Sequence, residues 1–311
     1  MSTPLSILIV GAGELGEAIL TALAQHPARP SETPLHMLLR SESINAPSPA
    51  KQASNTRLQS LGAHLVPGNF VEDDVSVLAA TFGRYDVVIQ AGGYGLPKGT
   101  QLKSAAAALQ AGVKRYFPWQ FGVDYEAIGH GSAHELFDEM LQVRHLLRSQ
   151  HSTHWTIIST GLFMSYLFLP DFGVVDLEAS SPTVRALGSW ENKVTVTTPV
   201  DIGRMTAEMV WHPESTLDRV VYIAGETVSY GQLADILEET LELGLAREEW
   251  RMDFLRARLR ENPDTLWYKY QCIFGDGKGV SWDLHETLNG QRGIKMMTVK
   301  EYVLATFSIR P

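Results

Sequence analysis

The hexapeptide GAGELG, residues 11–16, follows the apolar run LSILIV (5–10) and opens the helix-patterned segment ELGEAILTALAQ (14–25). GxGxxG alone is a weak signal, but a strand that turns through it into a helix is the start of a dinucleotide-binding unit. Gly11 permits the tight turn, Gly13 lets the backbone approach a pyrophosphate, and Gly16 lets helix pack on strand. Glu14, Leu15 and Gly16 form a helix N-terminus, which offers free N–H groups and partial positive charge to phosphates. The Glu14 carboxylate is expected to point away from them, because it would repel a phosphate.

The pattern after this motif alternates. Strand candidates are LHMLLR (35–40), AHLV (63–66), YDVVIQ (85–90), RYFPW (115–119) and HWTIIS (154–159). Helical segments are expected near 73–82, 99–111 and 133–150, and apolar strands alternating with helices indicate a parallel sheet covered on both faces. The fold class is therefore α/β, a Rossmann-type doubly wound parallel sheet. Ser132 and Glu135 read as a capping box that starts the helix at 133–150. Thr198, Pro199 and Asp201 mark another helix start. SESINAPSPAKQASN (41–55), rich in Ser, Pro and Ala, reads as a surface loop. Beyond about residue 165 the pattern is mixed. Helix-like stretches at 230–242 and 248–261 lead into the aromatic LWYKYQCIF (266–274). The expected division is a dinucleotide-binding domain over 1–165 and a smaller, mainly substrate-binding lobe over 166–311, with segments free to return to the sheet.

The nucleotide is read at the end of the second strand. An acidic residue there holds a ribose 2′-OH, whereas arginine suits a 2′-phosphate. Arg40 ends LLR, with Ser41 beside it, and the planar guanidinium matches phosphate geometry. Glu42 keeps the 2′-OH alternative open, but the preferred cofactor is NADP(H). Ligands in open α/β sheets bind beyond the carboxyl ends of strands, so QAGGY (90–94) and FPWQFG (117–122) should face it. That names Ala91, Gly92, Gly93, Pro118 and Gln120 for the cofactor, and Trp119 and Phe121 for a substrate beside it.

Composition narrows the partners. A formal net charge of −9 over 311 residues, without a basic run, argues against nucleic acid. The single cysteine, Cys272, cannot form an internal disulfide, and no stretch has the roughly 20 apolar residues of a membrane span. MSTPLSILIV lacks the charged start of a signal peptide. A cytoplasmic protein with a small-molecule partner and no membrane partner is expected, with a homodimer left open. The pair His130 and His134 does not share a helix face, so no metal is expected there. Tyr94 and Lys98 in YGLPK have the Y-x-x-x-K spacing, but Gly-Leu-Pro prevents the helix that would align them. GDGKG (275–279) lacks the P-loop ending.

GAGELG, LLR, YFPWQFGVD, STGLF (159–163) and GSWENKVTVTTPVDIG (188–203) together resemble the NmrA-like and isoflavone-reductase-like family, over about residues 5 to 210. These are atypical short-chain dehydrogenases/reductases, and PWQFGVD is similar to their fungal secondary-metabolism branch. The resemblance implies a Rossmann domain with a small C-terminal substrate lobe, and NADPH-dependent reduction of aromatic or phenolic natural products. The family also contains regulators that bind dinucleotides without catalysis. Its reductases carry a lysine on the helix after the FG motif. Matching FDEMLQVRHLLR to F-x-x-K-x-x-(V/I)-R places Met140 there, and the stretch 133–150 contains no lysine. Phe163 matches the family aromatic that packs against the nicotinamide.

Methionine has no proton to give. Reducing a ketone leaves a charge that wants a proton, whereas an iminium ion needs only hydride. The expected enzyme is an NADP(H)-dependent oxidoreductase of an aromatic or alkaloid-type substrate, an imine, iminium or conjugated system. Hydride transfer coupled to a cyclisation such as a cycloaddition is included, as in fungal alkaloid pathways. The proton-transfer residue is left unassigned, with Gln120, Tyr125, Met140 and Tyr166 as candidates. Tyr166, Trp267, Tyr268 and Tyr270 are expected to line a flat aromatic or heterocyclic substrate. The alternative is a non-catalytic NAD(P)-binding redox sensor acting through a partner protein.

Overall fold

The computed structural model describes residues 5–93, 95–133 and 135–307; Tyr94 and His134, named above, lie outside them. Six apolar runs become the strands β1 (Ile7–Val10), β2 (Leu35–Leu39), β3 (Ala63–Pro67), β4 (Val87–Gln90), β5 (Arg115–Phe117) and β6 (His154–Ser159). They pair in parallel, in the order β3-β2-β1-β4-β5-β6, and Arg219–Tyr222 adds a seventh strand beside β6. Every residue of β1 and β4 is buried, as expected of strands covered on both faces. The order reverses between β1 and β4, which opens the crevice where such sheets bind ligands.

The first four strands are followed by the helices α1 (Glu14–Gln25), α2 (Ser41–Ile44), α3 (Pro49–Ser60), α4 (Val75–Phe82) and α5 (Thr100–Gln110). One face of the sheet, with Leu8, Val10, Val88, Tyr116 and Ile157, packs against Leu78 and Phe82 of α4, Ala105 and Ala108 of α5, and Val143 and Leu147. The last two lie on the helix Asp138–Arg148.

Two local expectations in the first half of the chain are corrected. The segment 41–55 is not a loop but α2 followed by most of α3, and α3 buries only Leu58. With so small an apolar stripe, α3 is fastened by polar contacts. Asn55 Nδ2 donates to the carbonyls of Ser43 and Ile44, and Arg57 pairs with Glu17 of α1. The second correction is the capping box at Ser132. Ala133 and Glu135 sit at φ 44° and 60°, which a helical first turn excludes, and the helix starts at Asp138. Ser132 Oγ instead donates to the Ile128 carbonyl. The start at Pro199 holds, with the Asp201 N–H donating to Thr198 Oγ at 3.2 Å.

Contacts divide the chain into two interleaved units. The first comprises 1–120, 139–158 and 202–221, and the second 121–138, 159–201 and 222–311. In the second unit, Lys193–Thr197 pairs with Leu162–Phe163 and Glu226–Ser229, and Thr183–Leu187 pairs with Val175–Asp176 and Ala246–Trp250. The stretch 248–261, expected as one helix, is the end of that last strand followed by the helix Met252–Glu261. The aromatic stretch is the helix Leu266–Asp276. Among the described residues, no helix is long and apolar enough to cross a membrane.

Candidate functional site

The glycine turn behaves as its spacing requires. Gly11 sits at φ 99°, and a Cβ there would lie 3.0 Å from the Gly92 nitrogen, so the turns after β1 and β4 touch at the switch point. A Cβ on Gly16 would lie 2.0 Å from the Gly11 carbonyl oxygen, which explains why helix and turn need glycine there. Gly13 differs, because a Cβ on it would meet nothing within 4 Å. It is the N-cap of α1 and offers no side chain to the helix's first N–H groups. Open space over uncapped N–H groups at a helix N-terminus is what an anionic ligand needs.

A cavity of about 550 Å³ in the first unit runs from this turn to the end of β2 and on to α3. Leu38, Leu58, Phe70 and Val71 give it apolar walls, while Arg40 and Lys51 bring two cations to it. Among the described residues, Glu72 is the one carboxylate on its lining, and Asn69 Nδ2 donates to that side chain. Ser43 and Asn55 border the same space. Apolar walls, two cations and a glycine turn fit an adenosine with phosphate groups. Lys51, Ser43 and Asn55 were missed in the sequence because 41–55 read as a loop. Ser48 followed by Pro49, the residue pair that opens α3, was the available signal.

The other cofactor candidates fall around this cavity in different ways. Gly11, Gly13 and Arg40 line it, while Ser41 is exposed on α2 and Ser43 takes the lining position. Glu42, which kept the 2′-OH alternative open, is not on the lining. Glu14 is exposed, and Leu15 is buried in the core, so only its backbone remains available. The N–H groups of Ala91 and Gly92 both donate to the Val10 carbonyl at 2.9 Å, which holds the turn after β4 against β1. Trp119 covers Gly93 so closely that a Cβ there would lie 2.1 Å from its ring. Pro118 is buried at the end of β5.

Gln120 is fully buried, and its amide is engaged at both ends. Arg144 Nε donates to its Oε1 at 2.8 Å, and its Nε2 donates to the Met140 carbonyl at 2.9 Å. Arg144 is itself 1% exposed. This network fixes the helix turn that carries Met140, and the Met140 Sδ lies 3.9 Å from Gln120 Nε2. An amide held this way positions its neighbours and is not a proton donor.

In the second unit the expected aromatics form a connected series of rings. Phe163 meets Tyr166 at 5.5 Å between centroids, Tyr166 meets Trp267 at 5.9 Å, and Trp267 meets Tyr270 at 5.7 Å. Tyr270 then meets Phe137 at 5.8 Å, and Phe137 meets Tyr125 at 4.8 Å. Phe163, Phe137 and Tyr125 are buried, whereas Tyr166, Trp267 and Tyr270 are half-buried and keep accessible surface. Phe121 is also buried. Tyr268 is placed elsewhere: its ring lies 4.1 Å from the Arg258 guanidinium, an arginine that also covers Trp250. Helical geometry accounts for this, since neighbours on Leu266–Asp276 point about 100° apart.

Comparison with known proteins follows the same lines. The profile of the NmrA-like family matches residues 4–302. An NmrA-like family domain-containing oxidoreductase of Gibberella moniliformis is 50% identical over 299 residues, 96% of this chain and 97% of its own length. The phenylcoumaran benzylic ether reductase Pyrc5 of Pyrus communis is 30% identical over 311 residues, covering 96% of each. Among solved structures, AtPrR2 with NADP+ and (+)pinoresinol superposes with a TM-score of 0.77 at 22% identity, over 97% of this chain and 99% of that one. The leucoanthocyanidin reductase–NADPH complex of Vitis vinifera does so with the same score and identity, over 96% and 97%. Fold, glycine turn and whole-length similarity agree, and the chain belongs to the NmrA-like family.

Proposed function

We propose that the chain is an NADP(H)-dependent oxidoreductase acting on an aromatic or alkaloid-type natural product, with an imine, iminium or conjugated group as hydride acceptor. The cavity carries this reading, because it brings Arg40 and Lys51 to one space beside the glycine turn. The similarity to oxidoreductases and to structures holding NADP+ or NADPH supports it.

The chain's residues divide the work. The α1 N-terminus and the turn at Gly13 hold the pyrophosphate, Arg40 and Lys51 hold the 2′-phosphate, and Phe70 and Leu58 flank the adenine. The bound cofactor supplies or accepts a hydride. Tyr166, Trp267 and Tyr270 offer flat apolar surface to an aromatic substrate. Met140 supplies no proton, so the preferred acceptor is one that is already electrophilic. Where oxidation comes first, the same aromatic surface holds a reactive product while it cyclises.

The binding test compares NADPH, NADP+, NADH and NAD+. Arg40→Ala is expected to weaken the two phosphorylated forms by about 10- to 100-fold, as losing one charge-assisted contact does, and to leave NADH and NAD+ unchanged. Indifference of the native chain to the 2′-phosphate, with tighter binding of oxidised forms, would favour the redox sensor instead.

The ring series gives a second expectation. With the substrate in hand, Trp267→Ala raises KM by about tenfold or more, because a large aromatic contact is lost. Tyr268→Ala leaves KM within about twofold and lowers only thermal stability, since it removes a cation–π partner worth about 0.5–1 kcal/mol. Equal effects of the two on KM would refute this assignment.

A further inference from the structure

Helix α5 begins without a cap of its own. Its N-cap is Gly99 at φ 90°, which has no side chain to offer the helix's first N–H groups. Glu139, from the first turn of Asp138–Arg148, meets them instead. Its carboxylate accepts the Gly99 N–H at 2.8 Å, the Gln101 N–H at 2.7 Å and the Leu102 N–H at 3.0 Å. Bonds of this kind, with an ionised acceptor, are roughly twice as strong as neutral ones.

The other end of the same connection is also pinned. The Gly92 carbonyl accepts Gln90 Nε2 at 2.8 Å and Gln101 Nε2 at 3.2 Å. Gln101 therefore serves both ends, its backbone on Glu139 and its side chain on Gly92. Gly92 packs against the Gly11 turn, and Leu96, between the two ends, lies on the cavity wall. Glu139 is followed by Met140, whose carbonyl is held by Gln120. One carboxylate thus joins the backbone beside the glycine turn to the helix turn carrying Met140.

We infer that Glu139 is a positioning residue for the dinucleotide, one that sets the β4–α5 connection against the cofactor and fixes it to the Met140 turn. The inference rests on the cavity being an NADP(H) site. No proton or hydride passes through Glu139, whose oxygens are engaged by backbone donors. Its role is to hold the connection in its bound form before the cofactor arrives.

The test compares Glu139→Gln with the native chain in binding NADPH and 2′,5′-ADP, a fragment with the 2′-phosphate but no nicotinamide half. Arg40, Lys51 and Ser43, which face the fragment, lie on other segments, and the connection itself brings only Leu96 to that cavity among the described residues. The variant is expected to bind NADPH about tenfold more weakly and the fragment within about twofold of the native chain. Equal losses for both ligands would indicate a merely structural role and overturn the proposal. Unchanged NADPH binding would overturn it too, while leaving the cofactor reading intact. A native chain that binds neither ligand would overturn both. Should Glu139→Gln not fold, amide exchange on the native chain decides: NADPH must slow exchange at Gly99, Gln101 and Leu102, and unchanged exchange there would refute the coupling.

Discussion

Gly13→Ala is expected to bind NADPH at least about 100-fold more weakly than the native chain while unfolding within about 2 °C of it. The two halves of this result have separate causes. In the protein alone, the added methyl meets nothing within 4 Å and the backbone at Gly13 is extended, at φ −77°. Substitutions of that kind change stability by no more than about 0.5 kcal/mol. In the complex, the methyl occupies the space through which a pyrophosphate approaches the α1 N-terminus. Two lost charge-assisted bonds, at about 1.5–3 kcal/mol each, account for the factor. Gly16→Ala makes the contrast, because its Cβ would lie 2.0 Å from the Gly11 carbonyl oxygen. That variant should lose binding and also about 1–3 kcal/mol of stability. Thermal unfolding and NADPH titration of both variants check the pair. Full-strength binding by Gly13→Ala would show that no phosphate passes over this turn.

Met140→Lys is expected to raise turnover of ketones and enones by about 10²–10⁴, the worth of general acid–base help, and to leave imine turnover unchanged. The turn that would carry the new ammonium is already fixed, through Gln120 on the residue-140 carbonyl and Glu139 on the start of α5. The substitution therefore changes the chemistry offered without moving the backbone that offers it. Steady-state rates with matched ketone and imine substrates decide the matter. A variant that gains nothing with ketones would mean that position 140 does not reach the reacting atoms.

The parts of the molecule legible in the sequence are those where one local rule has no competitor. Strands buried on both faces leave apolar runs, and six of them were placed within a few residues. The glycine turn was legible because Gly11 and Gly16 answer steric demands that no other residue meets, while Gly13 leaves open space over the helix N-terminus. Helix α3 was not, because it buries a single residue, Leu58, and so carries no apolar period. Lys51 was missed with it. The Ser132–Glu135 pattern misled for a different reason: it specifies side chains, while positive φ at Ala133 and Glu135 denies the backbone they require. Tyr268 shows the limit of reading an aromatic stretch as one surface, since helical rotation sends it to Arg258 and Trp267 to Tyr166. Glu139 could not be found at all, because its partners lie about 40 residues away in the chain.

The claim that this chain moves hydride, and does not merely sense a dinucleotide, is tested most directly with NADPH carrying deuterium at its transferable position. A panel of cyclic aromatic imines and iminium ions is incubated with the protein, and the products are analysed by mass spectrometry. The account predicts deuterium on the former imine carbon, with an equivalent amount of NADP+ formed. Tight NADPH binding with no deuterium transferred to imines, iminium ions or conjugated aromatics would contradict it and leave the sensor.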